Sequence, residues 1–104
     1  MEVTIDNIDE ELNKTDKPVF ALFWASWCTA CKRSEVTVSE IEKERDDIKV
    51  IEANVDKNMG IRDEFDIQGV PTFIVFNGGE EIERRVGAQG KKQLNKMIDD
   101  VVDK

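Results

Sequence analysis

Both cysteines of this 104-residue chain fall in one tetrapeptide, Cys28-Thr29-Ala30-Cys31, directly downstream of the apolar run Val19-Phe20-Ala21-Leu22-Phe23-Trp24. A strand that delivers such a pair to the first turn of a helix sets one sulfur beside unpaired backbone N–H groups and the positive end of the helix dipole. That environment lowers a thiol pKa from about 8.5 into the range of roughly 3.5 to 7.5, so a thiolate exists near neutral pH. Cys28, ahead of the helix body, is then the attacking sulfur. Cys31, nearly one helical turn on, is placed to attack the mixed disulfide formed on Cys28 and release the substrate. The plainer reading is an inert structural disulfide, but so small a loop stabilises little through chain entropy. A zinc site would need two further ligands from a second subunit. The chain has no histidine, which excludes a Cys-His pair, a Ser-His-Asp triad and histidine metal ligation. Neither a metal nor another cofactor is expected, and chemistry near neutral pH falls to the thiols or to a perturbed carboxylate or lysine.

The surrounding pattern specifies the elements that must hold this pair. Val3 to Ile5 reads as a short edge strand, and Asn7 with Glu10 as the cap of a helix carrying Ile8 and Leu12 on one face. Val19 to Trp24 lacks polar alternation, as a central strand covered on both faces does. From Cys28 onward Ala30, Ser34, Val38 and Ile41 mark one face of a helix whose other side is charged. Ile48 to Val55 is a second internal strand, interrupted by Glu52. Asn58 to Phe65 is a short helix, and Thr72–Phe76 and Glu81–Val86 are antiparallel strands around the hairpin signal Asn77-Gly78-Gly79-Glu80. Leu94, Met97, Ile98, Val101 and Val102 stripe a last helix that should cover one face of the sheet.

Phe23-Trp24-Ala25-Ser26-Trp27-Cys28-Thr29-Ala30-Cys31-Lys32 resembles the active-site segment of the thioredoxin family, and Asn54-Val55-Asp56, Gly69-Val70-Pro71-Thr72, Phe76-Asn77-Gly78-Gly79 and Val86-Gly87-Ala88 follow in the family's order and spacing. Cys-x-x-Cys alone is a weak signal; with Val-Pro-Thr about forty residues downstream it is a strong one. The resemblance implies an α/β thioredoxin fold over residues 1–104 as a single domain, with a central mixed β-sheet flanked by helices on both faces. It also implies a cis Val70–Pro71 bond and a shallow substrate groove lined by Trp27, Val70, Pro71, Gly87 and Ala88. The backbone of Val70 would pair there with an extended substrate as strand with strand. Trp24, at the end of the apolar strand, is read as packed core rather than groove.

The activity so implied is reduction of disulfide-containing protein substrates by dithiol-disulfide exchange, with a thioredoxin reductase-type electron donor. An oxidising or isomerising relative and a non-catalytic binding module of the same fold are the alternatives. Three departures from the family stand out. Thr29-Ala30 replaces the usual Gly-Pro, leaving Ala30 an N–H able to point at the Cys28 sulfur and making the disulfide more oxidising. Val36 stands where a helix-kinking proline is common. Leu22 and Glu52 stand where the family has a buried aspartate and a lysine behind the second cysteine. By strand parity Glu52 lies with Ile48, Val50 and Asn54 among apolar neighbours, where burial would raise its pKa and make it a proton acceptor for Cys31. The plainer reading has Glu52 in solvent or paired with a lysine.

A formal net charge of −8 argues against nucleic acid and anionic membrane as partners. The apolar run preceding the cysteines has the length of a secretory-signal core, but Asp6, Asp9, Glu10, Glu11 and Asp16 precede it where basic residues are needed, and it is far short of the roughly 20 residues of a membrane span. A cytoplasmic monomer is expected.

Overall fold

The computed structural model describes residues 1–103. Along the chain the elements are β1 (Glu2–Val3), α1 (Ile8–Asn13), β2 (Val19–Trp24), α2 (Thr29–Glu44), β3 (Lys49–Asn54), α3 (Met59–Glu64), β4 (Thr72–Asn77), β5 (Glu80–Val86) and α4 (Lys91–Val102). This is the expected βαβαβαββα order. The strands form one mixed sheet in the order β1-β3-β2-β4-β5, with β1, β3 and β2 parallel and β4 and β5 antiparallel to their neighbours.

β2 lies in the middle because every position from Val19 to Phe23 is apolar and therefore unstable on any edge. Its side chains alternate between two cores. Val19, Ala21 and Phe23 pack with Ile51 and Ala53 of β3 beneath Ile8 and Leu12 of α1 and Ile61 of α3. Phe20 and Leu22 pack on the opposite face against Val38 and Ile41 of α2 and Leu94, Met97, Ile98 and Val101 of α4. The last helix thus covers one face, as its apolar stripe predicts. α2 runs unbroken through Val36, which is exposed to solvent.

Several local expectations are corrected. β1 stops at Val3, because Thr4 turns the chain: its carbonyl accepts from Asn7 N and Ile8 N. Asn7 precedes α1 but does not cap it; its Oδ1 reaches back to accept from Thr4 N at 2.7 Å, so the Asn7–Glu10 box does not form. β3 is one residue shorter at each end than Ile48–Val55. In the hairpin the two turn residues are Gly78 and Gly79, at φ 62° and 83°, while Asn77 pairs with Glu80 as the last rung. Those are the left-handed angles that a two-residue turn matching the strand twist requires.

On the α1 face the polar group at Lys49 is absorbed by a pair. Its ammonium donates to Glu11 Oε1 at 2.6 Å and to the Glu11 carbonyl at 3.0 Å, beneath a carboxylate that is 8% exposed. The hydrogen bond from Lys49 holds the Glu11 pKa below the usual carboxylate range.

Candidate active site

Where β2 ends, the chain makes a short turn, Ala25 to Trp27, closed by Cys28 N donating to the Ala25 carbonyl at 3.2 Å. Cys28 occupies the N-cap position of α2, with extended backbone angles, and its Sγ accepts from Cys31 N at 3.1 Å. A sulfur thus stands where a serine or aspartate oxygen usually satisfies one of the free N–H groups of a helix start. The donor is Cys31 and not Ala30, because the cap bond spans to the third helical residue; the expectation for the Ala30 N–H is corrected accordingly.

Cys28 and Cys31 are joined by a disulfide, their Cα atoms 5.3 Å apart. Exposure separates the two: Cys28 is 6% exposed and Cys31 1%, so the outer sulfur is Cys28.

The turn before the cysteines is fixed by residues that sequence reasoning noted only as part of a motif. Asp56 accepts from Trp27 Nε1 at 2.9 Å and from Ser26 N at 2.8 Å, one carboxylate oxygen to each. Asn54, buried at the end of β3, donates to Ser26 Oγ at 3.0 Å and accepts from Asp56 N at 2.9 Å. Trp27 is thereby held beside the disulfide segment while remaining 69% exposed. Trp24 is half-buried and packs against both cores; its indole Nε1 is buried without a hydrogen-bond partner among the described residues.

Strand register brings the remaining groove residues to the same end of the sheet. Phe23 of β2 lies opposite Thr72 of β4, and Thr72 opposite Val86 of β5. Val70-Pro71 and Gly87-Ala88 therefore sit where β2 hands over to the cysteines. The Val70–Pro71 bond is cis. Gly87 N donates to the Pro71 carbonyl at 2.8 Å, tying the two loops, and Gly87 has φ 92°, a left-handed angle that disfavours a side chain. On the α2 side of the disulfide a cavity of about 440 Å³ opens between the first turns of α2 and the loop before α4, lined by Thr29, Ala30, Arg33, Ser34, Thr37, Ala88, Gln89 and Gly90. Of the five expected groove residues only Ala88 borders it.

Glu52 lies opposite Leu22 of β2 and Glu2 of β1. Leu22 is fully buried, in the core formed with Phe20, Val38 and Ile41, whereas Cys28 and Cys31 belong to the core on the other face of the sheet. Glu52 is half-buried and pairs with no lysine among the described residues. Its neighbours are not simply apolar, as parity alone implies: burial, then the charges of Glu35 and Glu2, push its pKa above the usual carboxylate value, against a smaller opposing pull from the chain's amino terminus. No hydrogen bond joins its carboxylate to Cys31. Among the described residues no group of three or more His, Cys, Asp or Glu side chains is arranged to hold a metal, and no helix is long and apolar enough to cross a membrane.

This geometry has relatives. The Thioredoxin family model matches residues 1–100. A thioredoxin of Rickettsia felis is 37% identical over 93 residues, covering 88% of this chain and 89% of that protein. A thioredoxin of Alicyclobacillus acidocaldarius is 38% identical over 88 residues, 84% of each. A bifunctional thioredoxin reductase/thioredoxin of Mycobacterium leprae is 38% identical over 103 residues; these are 98% of this chain and 22% of that longer protein.

Proposed function

The chain belongs to the thioredoxin family, and from that premise we propose how its protein-disulfide reductase activity is divided between the two thiols. Cys28 is the nucleophile. In the reduced protein its thiolate attacks one sulfur of a substrate disulfide, forming a mixed disulfide and expelling the other substrate sulfur as a thiolate. Cys31 then attacks Cys28 Sγ; the second substrate sulfur leaves, and the protein ends with the Cys28–Cys31 disulfide. Substrate gains two electrons and two protons, and the protein returns to the dithiol by accepting the same from a donor.

The observation that carries this reading is the N-cap position of Cys28, with Cys31 N–H aimed at its sulfur. A negative sulfur there gains a charge-assisted bond and the favourable end of the dipole of α2, so the thiolate is the stabilised form. Cys31, less exposed and inside the helix, reaches only the sulfur of Cys28 itself, once that sulfur is held in the mixed disulfide.

Trp27, Val70, Pro71, Gly87 and Ala88 form the surface on which the substrate chain lies. The electron donor is a thioredoxin reductase-type enzyme. The fusion of such a reductase to a thioredoxin in the Mycobacterium leprae protein supports that pairing. The protein acts as one domain and as a monomer, in the cytoplasm, carrying electrons to protein disulfides and so serving thiol homeostasis. Glu52, half-buried with its pKa raised, is the candidate acceptor of the Cys31 proton.

The test of the division is a trap. Cys31→Ser should accumulate a mixed disulfide on Cys28 when mixed with a disulfide-bonded protein, visible by non-reducing electrophoresis and mass, whereas Cys28→Ser should form none. Normal turnover by Cys31→Ser would overturn the assignment.

A further inference from the structure

The chain has five arginines, and four are engaged. Arg45 binds Asp47 and Asp99, Arg62 donates to the Ile67 carbonyl, Arg84 binds Glu81 and the Phe65 and Asp66 carbonyls, and Arg85 binds Glu83. Arg33 alone has a guanidinium with no ion pair and no hydrogen bond among the described residues. It is exposed, two residues past Cys31, and among the described residues it is the sole charged one lining the cavity beside the disulfide. The other lining groups are neutral: Thr29, Ala30 and Ser34 on the α2 wall and Ala88 to Gly90 on the facing loop supply an apolar and hydroxyl-bearing surface.

A free guanidinium in a neutral concavity is unusual in a chain whose net charge is −8, because abundant carboxylates would quench it if any were within reach. At physiological salt, charges beyond about 8 Å are largely screened, so the local cation governs what enters the cavity even though the molecule as a whole repels anions. A guanidinium also offers a planar fork of donors suited to a carboxylate.

We propose that Arg33 is a specificity-determining residue that reads an acidic side chain in the polypeptide substrate, two or three residues from the cysteine that Cys28 attacks. The spacing follows from geometry. Arg33 lies five residues along the chain from Cys28, about 7.5 Å of helix at about 1.5 Å per residue. An extended substrate advances about 3.3 Å per residue. This inference rests on the proposed attack by Cys28.

Single-turnover mixing tests it. The reduced full-length protein is mixed at about 0.15 M salt with peptide disulfides that differ only in carrying Glu, Gln or Lys two or three positions from the attacked cysteine, on either side. Peptide reduction is followed by acid quench. In the wild type the Glu peptide should react about two- to fivefold faster than the Gln peptide on one side of the cysteine, the span of an exposed ion pair, and the Lys peptide more slowly. Arg33→Gln should bring the Glu-to-Gln ratio to about one, Arg33→Glu should invert it, and Arg33→Lys should restore part of it. Lys43→Gln, which removes the same charge far along α2, should leave the ratio as in the wild type. Absence of a Glu preference in the wild type, or its survival in Arg33→Gln, would overturn the proposal while leaving the reductase activity standing. Failure of all peptides to react would overturn the role of Cys28 and this inference with it.

Discussion

Replacing Glu52 by glutamine should stabilise the protein at neutral pH and do nothing for it in acid. The residue is half-buried on β3, directly across from Glu2 on β1 and within the electrostatic influence of Glu35 of α2. Like charges opposite one another on neighbouring strands destabilise by roughly 0.2 to 1 kcal/mol, and solvent reaching the exposed half of the carboxylate trims that figure. Removing the charge while keeping the shape should therefore contribute about 0.5 kcal/mol, the repulsion from Glu35 included. For a domain of this size that corresponds to about 2 to 4 °C in Tm. The pH dependence has a fixed sign. Because the folded-state pKa of Glu52 is raised above its ordinary 4.5, the folded protein binds this proton more tightly than the unfolded chain does. The penalty is full above the raised value, shrinks as pH falls through it, and is gone below 4.5. Urea denaturation of the oxidised wild type and Glu52→Gln at pH 7.5 and pH 4 measures both ends. Equal midpoints at pH 7.5, or an advantage for the variant as large in acid as at neutrality, would refute the reasoning. In the same variant, release of substrate from the mixed disulfide should lose its dependence on a group titrating above the ordinary carboxylate range. An unaltered profile would assign the proton of Cys31 to water alone.

Gly79→Ala should lower stability by about 1 to 2 kcal/mol in urea titration, since Gly79 has φ 83° and a Cβ there would also meet Asn13 Oδ1. Gly78→Ala, with open space around its Cβ position, should cost less; equal losses would remove the role assigned to Asn13. Lys49→Met leaves the buried Glu11 carboxylate with only the longer, exposed pair to Lys14 at 3.7 Å, so Tm should fall at pH 7. The depressed pKa of Glu11 means that its contribution is present above its ordinary 4.5 and disappears as pH falls through the depressed value, so the wild type and Lys49→Met should converge in strong acid. Parallel Tm curves down to pH 2 would contradict this.

The readable parts of the sequence were those where one physical demand dominates. An uninterrupted apolar run dictates a central strand, the Asn-Gly-Gly stretch a tight hairpin though not which two of its residues make the turn, and a cysteine pair at the head of an amphipathic segment a helix start. What escaped were choices among competing hydrogen bonds. Asn7 had two uses for its oxygen, a cap or a turn back to Thr4, and the pattern Asn-x-x-Glu does not say which prevails. By sequence the sulfur of Cys28 is expected to meet the N–H of Ala30, but as the N-cap of α2 it accepts from the third helical residue, Cys31. Asp56 buttresses Trp27 across a separation of 29 residues, which no local pattern reveals. Parity placed Glu52 on the correct face yet said nothing of Glu2 and Glu35, because β1 and α2 supply them from elsewhere in the chain.

The central position of β2 bears on how the molecule breathes. β2 is hydrogen-bonded along both sides, to β3 over six residues and to β4 over five, whereas β1 is two residues long and β5 has one free edge. Amide protons of β2 should then exchange with solvent only when the whole domain opens, while those of the two outer strands escape through cheap local fraying. The strand that aims Cys28 therefore belongs to the slowest-exchanging unit of the protein, and the loops carrying Val70 and Gly87 are anchored next to that unit. A substrate chain seated on those loops, as proposed above, would then rest on ground tied to the same slow-opening unit that holds the cysteine pair, so binding and exchange would share one rigid frame.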